Sequence, residues 1–146
     1  MRLIAYYRVS TKRQAGAGLG LDAQQTAVQG YATIRNAEVL AEYIEVETGK
    51  RADRPRLAEA LAHARKARAV LVIAKLDRLA RNVHFVSGLM ESGVPFDCAD
   101  RPGADPFRLH IEAAIAEEEA RKISQRTKDA LAEARRRGVL LGSRNP

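Results

Sequence analysis

The chain holds one cysteine, Cys98, among its 146 residues. A single thiol cannot close an intrachain disulfide, and Cys98 lies in the apolar stretch Val94–Ala99, where it reads as a small core residue. No CxxC pair and no Cys/His cluster occurs, and His63, His84 and His110 are scattered over expected helices, so no metal site is expected. No GxxxxGK[ST] loop exists, which disfavours a P-loop nucleotidase. Gly16, Gly18 and Gly20 follow a strand that has already ended and are spaced GxGxG instead of GxGxxG, so they read as a mobile loop and not as a dinucleotide cradle. There is no obvious carboxylate cluster for a two-metal centre. No signal-peptide pattern and no apolar run of membrane-spanning length appear, which points to a cytoplasmic protein with no membrane partner. Internal repeats and low-complexity tracts are also absent.

What is present is an ordinary globular composition, 46% hydrophobic, with a formal charge of +7 that is unevenly placed. Residues Arg121 to Pro146 contain eight Lys/Arg and two Asp/Glu, whereas residues 1–120 are almost balanced. A basic terminal segment suits a polyanion, most commonly nucleic acid. The plainer alternative is a solvated helix end whose cations complement the helix dipole. The length suits one domain with its own core.

Apolar patterning alternates between strands and helices. Leu3–Val9 reads as a strand, a helix is expected from an Asp22 N-cap to about Asn36, and Val39–Val46 reads as a second strand. Glu47–Ala52 is a polar loop. Asp53 is placed to cap the next helix, with Pro55 in its first turn, and that helix ends near Ala67. Ala69–Ala74 is apolar enough to be buried on both faces of a sheet. A helix over Asn82–Ser92 and a strand over Val94–Ala99 follow. This alternation predicts an α/β fold: a mostly parallel sheet of about four to five strands flanked by helices. After the break at Asp100–Pro106, the segment Phe107–Arg137 contains no Pro or Gly and predicts a helix spanning about 45 Å. A domain this small cannot bury such a helix. Its apolar positions, among them Ile111, Ile115 and Ile123, therefore call for cover from a second subunit. Gly138 is a natural C-cap, and residues 138–146 read as the start of a linker.

Two polar segments follow apolar strands directly. Tyr6-Tyr7-Arg8-Val9-Ser10-Thr11-Lys12-Arg13-Gln14 presents a hydroxyl two residues after an arginine, and Lys75-Leu76-Asp77-Arg78-Leu79-Ala80-Arg81-Asn82 presents two arginines three apart. In a doubly wound sheet, strand ends converge on one crevice. A hydroxyl facing several guanidiniums suits phosphoryl transfer, in which catalysis is mostly positioning and neutralisation of the non-bridging oxygens. Ser10 is the candidate nucleophile, with Arg8, Arg54, Arg78 and Arg81 as candidate charge stabilisers. Asp77 could orient a guanidinium or carry a proton, and Gln14 could hydrogen-bond near Ser10. Each has a duller explanation: Ser10-Thr11 as a turn, Asp53-Arg54-Pro55 as a helix start, and Lys75–Arg81 as a solvated loop.

Taken together and in order, these motifs resemble the catalytic domain of the serine site-specific recombinases, the resolvase/invertase family. The matching residues are Tyr6–Thr11 with Gln14, Leu21-Asp22-Ala23-Gln24, Asp53-Arg54-Pro55, Lys75–Asn82, and Ala116–Glu119 leading into Ile123–Thr127. The resemblance runs from Met1 to about Gly142. It implies that Ser10 attacks DNA to leave a 5′-phosphoserine and a free 3′-hydroxyl, while Arg8, Arg54, Arg78 and Arg81 surround the phosphate. Asp77 and Gln14 fall on active-site positions. The partners implied are double-stranded DNA and copies of the same chain, as a homodimer that pairs into a synaptic tetramer. The interface is carried on the long helix by Ile111, Ile115, Glu119 and Ile123. The basic residues Arg126, Arg135, Arg136, Arg137 and Arg144 face DNA. No cofactor and no metal are implied.

The resemblance divides the chain into a catalytic domain (1–105), a dimerisation and DNA-facing helix (106–137) and the start of a linker (138–146). The resemblance implies a DNA-recognition domain after the basic helix end, and the 146 residues are expected to stop where the linker to it begins. Alone, the chain is therefore expected to bind DNA weakly and with little sequence choice, because phosphate contacts position without specifying. The competing readings are a non-catalytic DNA-associated dimerisation module with a vestigial active site, and a flavodoxin-like phosphate-binding enzyme. Retention of Ser10 with all four arginines weighs against the first, and the missing phosphate-cradling loop weighs against the second.

Overall fold

The computed structural model describes residues 1–10, 19–47, 54–75, 83–140 and 142. Strands β1 (Arg2–Val9), β2 (Glu38–Val46), β3 (Val70–Ile73) and β4 (Phe96–Cys98) form one sheet in the order β2-β1-β3-β4. All neighbouring strands are parallel. The described helices are α1 (Leu19–Ile34), α2 (Pro55–Ala67), α3 (Val83–Glu91) and α4 (Pro106–Arg136). The expected α/β architecture is present, with four strands and a long C-terminal helix.

Period-two alternation sorts the two central strands onto two cores. Ile4 and Tyr6 of β1, with Leu71 and Ile73 of β3, pack against Ala60 and Ala64 of α2, Phe85 and Leu89 of α3, and Leu109 of α4. The intervening Leu3, Ala5, Tyr7, Val9 and Val72 pack with Leu21, Val28, Tyr31 and Ala32 of α1. Burying each large aliphatic side chain contributes about 1.5–3 kcal/mol, so this three-layer arrangement is held mainly by β1 and β3. Cys98 is fully buried in the first core. Its thiol is pushed up to about 12, mainly by burial and then by the neighbouring Asp100 and Asp97 charges, so it is not a nucleophile at neutral pH.

Several boundaries differ from the sequence expectation. Helix α1 is already formed at Leu19, so Gly20 belongs to a helix and not to a loop, and Asp22 sits in the first turn instead of at the N-cap. There its charge still complements the positive helix end. The helix ends at Ile34; just past it Asn36 takes a left-handed φ of 49°, and Ala37 N–H donates to the Ala32 carbonyl at 2.8 Å. The N-cap position of α2 is Arg54, which makes no side-chain cap bond, while Asp53 lies outside the described residues.

Helix α4 is bounded as its sequence suggests. Asp105 accepts from Phe107 N–H, Pro106 opens the first turn, and Gly138 takes φ 78° with its N–H on the Arg135 carbonyl at 3.0 Å. Its 31 residues extend about 46 Å. Only Leu109 and Ala113 are buried, and residues 119–132 are all exposed, so the second half leaves the domain. Among the described residues, no helix is long and apolar enough to cross a membrane.

Candidate active site at the carboxyl edge of the sheet

Because the sheet is parallel, all four strands finish at one edge. The chain passes from β1 outward to β2 and then returns past β1 to β3, which puts the topological switch between β1 and β3. Ser10 is half-buried at the bend that ends β1, and Lys75 follows β3. The candidates Gln14, Asp77, Arg78, Arg81 and Arg144 lie outside the described residues.

Arg8 and Arg54 are far apart in sequence and meet here. Arg8 lies one residue before the end of β1, where alternation directs its side chain to the same side as Tyr6, toward α2 and α3. Arg54 lies immediately before α2. Glu47, one residue past β2, forms an ion pair with Arg8, and the same Oε1 atom lies 3.5 Å from Arg54 Nη2. Phe85 of α3 underlies both guanidiniums, with centroid distances of 5.7 Å to Arg8 and 4.6 Å to Arg54. Tyr6 stacks on the same ring at 6.3 Å. Cation–π contacts of this kind contribute about 0.5–2 kcal/mol and hold a flat guanidinium in one plane. The arginine side chains are only 13% and 16% exposed, and Glu47 is 33% exposed.

Two further side chains fix this edge. Gln24 of α1 accepts from Arg8 N–H at 3.2 Å and donates to the Arg8 carbonyl at 2.9 Å. Its amide thus acts as one rung of a ladder at the point where β1 gives way to Ser10. Glu45 of β2 is buried, and such a carboxylate requires partners. It accepts from the Tyr6 hydroxyl at 3.3 Å and from Leu57 N–H at 3.0 Å. The second bond caps α2 from a neighbouring strand and fills the role that Arg54 does not. Burial, and then the Glu45 charge, push the Tyr6 phenol well above its ordinary range, so it remains a donor.

Sequence reasoning did not assign roles to Gln24, Glu45, Glu47 or Phe85. One signal was available: Glu45 and Glu47 lie two apart at the end of a strand, so both side chains fall on one face.

On α4, Ile111, Ile115 and Ile123 are 44%, 54% and 63% exposed, and Glu119 is exposed beside them. Leu109 is instead buried in its own domain. Arg126, Arg135, Arg136 and Arg137 are exposed on the projecting half. Glu133 accepts from both Arg136 and Arg137 at 2.9 Å, and these bonds hold its carboxyl below the usual range.

Comparisons with known proteins give the family and the fold. A family model described as "Resolvase, N terminal domain" matches residues 3–140. The chain belongs to the resolvase family of serine site-specific recombinases. It is 37% identical to DNA-invertase hin of Salmonella typhimurium over 151 residues, covering 97% of this chain and 73% of that protein. It is 35% identical to serine recombinase gin of Escherichia phage Mu over 153 residues, covering 99% and 72%.

Among solved structures, a resolvase family site-specific recombinase from Streptococcus pneumoniae matches with a TM-score of 0.61 and 22% identity, covering 93% of this chain and 99% of the other. The N-terminal catalytic domain of TP901-1 integrase matches with a TM-score of 0.61 and 24% identity, covering 85% and 99%. At these identities the structural likeness speaks for the fold. By family, the chain is a serine recombinase, a class of enzymes that rearrange DNA.

Proposed function

We propose that the chain carries out site-specific DNA recombination by transesterification, with Ser10 as nucleophile. The Ser10 hydroxyl gives up its proton, and its Oγ bonds to the scissile phosphorus. The bond from phosphorus to the 3′-oxygen breaks, and that oxygen leaves as a hydroxyl after taking a proton. The DNA 5′-end is then held as a phosphoserine ester, and reversal of the step onto a new 3′-hydroxyl rejoins the strand. The ester conserves the bond energy, so the reaction needs no nucleotide cofactor.

The observation that carries this reading is the pair of guanidiniums from Arg8 and Arg54, seated on one aromatic ring at the strand edge from which Ser10 emerges. Preorganised donors of this kind stabilise charge on the non-bridging oxygens by about 3 kcal/mol each. In this reading Arg78 and Arg81 complete the phosphate's surroundings, while Asp77 and Gln14 assist. Residues 1–105 act as the catalytic domain. Residues 106–137 act as the dimerisation helix through Ile111, Ile115, Glu119 and Ile123, with Arg126 and Arg135–Arg137 toward DNA. Residues 138–146, with Arg144, lead toward a recognition domain.

The test is trapping of the covalent intermediate on a nicked duplex. Wild-type protein is expected to give an SDS-resistant adduct on the 5′-end, and Ser10→Ala none. An adduct that persists in Ser10→Ala would remove Ser10 from the mechanism. Substitution of Arg78 by Ala is expected to reduce adduct formation far more than duplex binding, and equal losses would make it an anchor only.

A further inference from the structure

A carboxylate sits where the proposed mechanism needs an anion of a different kind. Glu47 Oε1 is shared by Arg8 and Arg54, over the ring of Phe85 that orients both. We propose that Glu47 is a positioning residue that holds the place of the DNA phosphate: it keeps the Arg8 and Arg54 guanidiniums paired before DNA arrives and is displaced from them by the scissile phosphodiester. This inference rests on the proposed cleavage chemistry and adds a residue and an ordered exchange to it.

Three features support the exchange. First, two guanidiniums converging on one point repel each other unless an anion lies between them. Carboxylate and phosphate oxygens match the arginine fork in the same way, so the geometry that suits one suits the other. Second, the two acidic residues of this edge are held differently. Glu45 is buried and tied to Tyr6 and to the first turn of α2, so it stays. Glu47 is 33% exposed and lies beyond the end of β2, so its side chain can turn to water without opening the core. Third, Glu47 is the anion both guanidiniums are paired with, so its turning away raises their attraction for a phosphodiester.

The test uses the whole 146-residue chain, with inorganic phosphate as the probe and NMR of labelled glutamate carboxyl carbons and arginine side-chain nitrogens as the readout. Phosphate is expected to shift Glu47 together with Arg8 and Arg54, with one common dissociation constant. Glu47→Gln is expected to bind phosphate about fivefold more tightly or better, since even in a water-like medium a unit charge about 4 Å away accounts for that much. A merely structural brace would give the opposite result, because its loss loosens both arginines and weakens phosphate binding.

Phosphate that moves the arginines but not Glu47, phosphate that moves neither, or a Gln variant with equal or weaker affinity would each overturn the inference. Should Glu47→Gln fail to fold, the carboxyl titration of the unaltered chain decides. The readout does not involve the Ser10 hydroxyl. A failed adduct assay with intact displacement would therefore count against the nucleophile, and an intact adduct with no displacement would count against Glu47.

Discussion

Arginine serves this molecule in two settings that differ in almost every physical respect. At the sheet edge, Arg8 and Arg54 are 13% and 16% exposed, rest on Phe85, and share one carboxylate. On the outer half of α4 and at its C-cap, Arg121, Arg136 and Arg137 are 76%, 78% and 73% exposed and pair with glutamates one turn away. The first setting is preorganised. Partial burial strengthens electrostatics, and neither guanidinium has to search for its place. The second is adaptable, since exposed pairs at i,i+3 and i,i+4 are worth at most about 0.5 kcal/mol and are easily exchanged for phosphates. One residue type thus supplies fixed charge at the sheet edge and mobile charge along the projecting helix; in the proposed function the first meets the scissile phosphate and the second the duplex.

The sharpest way to break this comparison is at Arg8. Arg8→Ala is expected to slow phosphoserine formation about 10²–10³-fold while leaving duplex affinity within a few-fold, because a preorganised donor acts mainly in the transition state. Adduct rates and dissociation constants on one duplex test this, and matching losses would merge the two classes. Arg8→Lys should rescue little, since an ammonium lacks the planar fork.

The two halves of α4 offer the next contrast. Leu109→Ala is expected to cost about 2–5 kcal/mol in urea unfolding, through a cavity under α3. Ile123→Ala, at an exposed position, is expected to change monomer stability by less than about 0.5 kcal/mol and to weaken self-association seen by sedimentation. A large stability loss at Ile123 in a monomer would mean that the projecting helix is covered by its own domain.

The sequence made the frame of the molecule readable wherever the cause was local. The apolar run at Val70–Ile73, the alternation of β1, the Asp105-Pro106 start of α4 and its Gly138 stop are each set by neighbours within one or two turns. What it hid was long-range. Asp53-Arg54-Pro55 resembles a helix start set by its own residues, and Asp53 lies outside the described ones, but the Leu57 N–H in the first turn of α2 is taken by Glu45 of β2, far away in sequence. Gly20 resembles part of a loop, yet the apolar contacts of Leu21 and Val28 with β1 draw it into α1. Arg8 and Arg54 were legible as residue types suited to phosphate, whereas their shared ring and shared carboxylate depend on where Phe85 and Glu47 arrive in three dimensions. Gln14, Asp77, Arg78 and Arg81 lie outside the described residues, and their roles belong to the proposed function.

The smallest expected effect sharpens the comparison from the exposed side. Arg136 and Arg137 both donate to Glu133, whose carboxyl is lowered by those bonds. A lowered carboxyl keeps this triad charged across neutral pH, and the triad is lost only as pH falls through that depressed value. Two cations sharing one anion leave a single net positive charge for DNA. Arg136→Ala should therefore reduce the slope of log affinity against log salt by about one, with no preference among duplex sequences. Glu133→Gln should move the slope the other way by a similar amount, because it frees a cation without adding one. Fluorescence anisotropy on two unrelated duplexes over a salt series checks both. A sequence-dependent loss in Arg136→Ala would show that this arginine reads bases, and the division between fixed catalytic charge and mobile backbone-tracking charge would then need a third category.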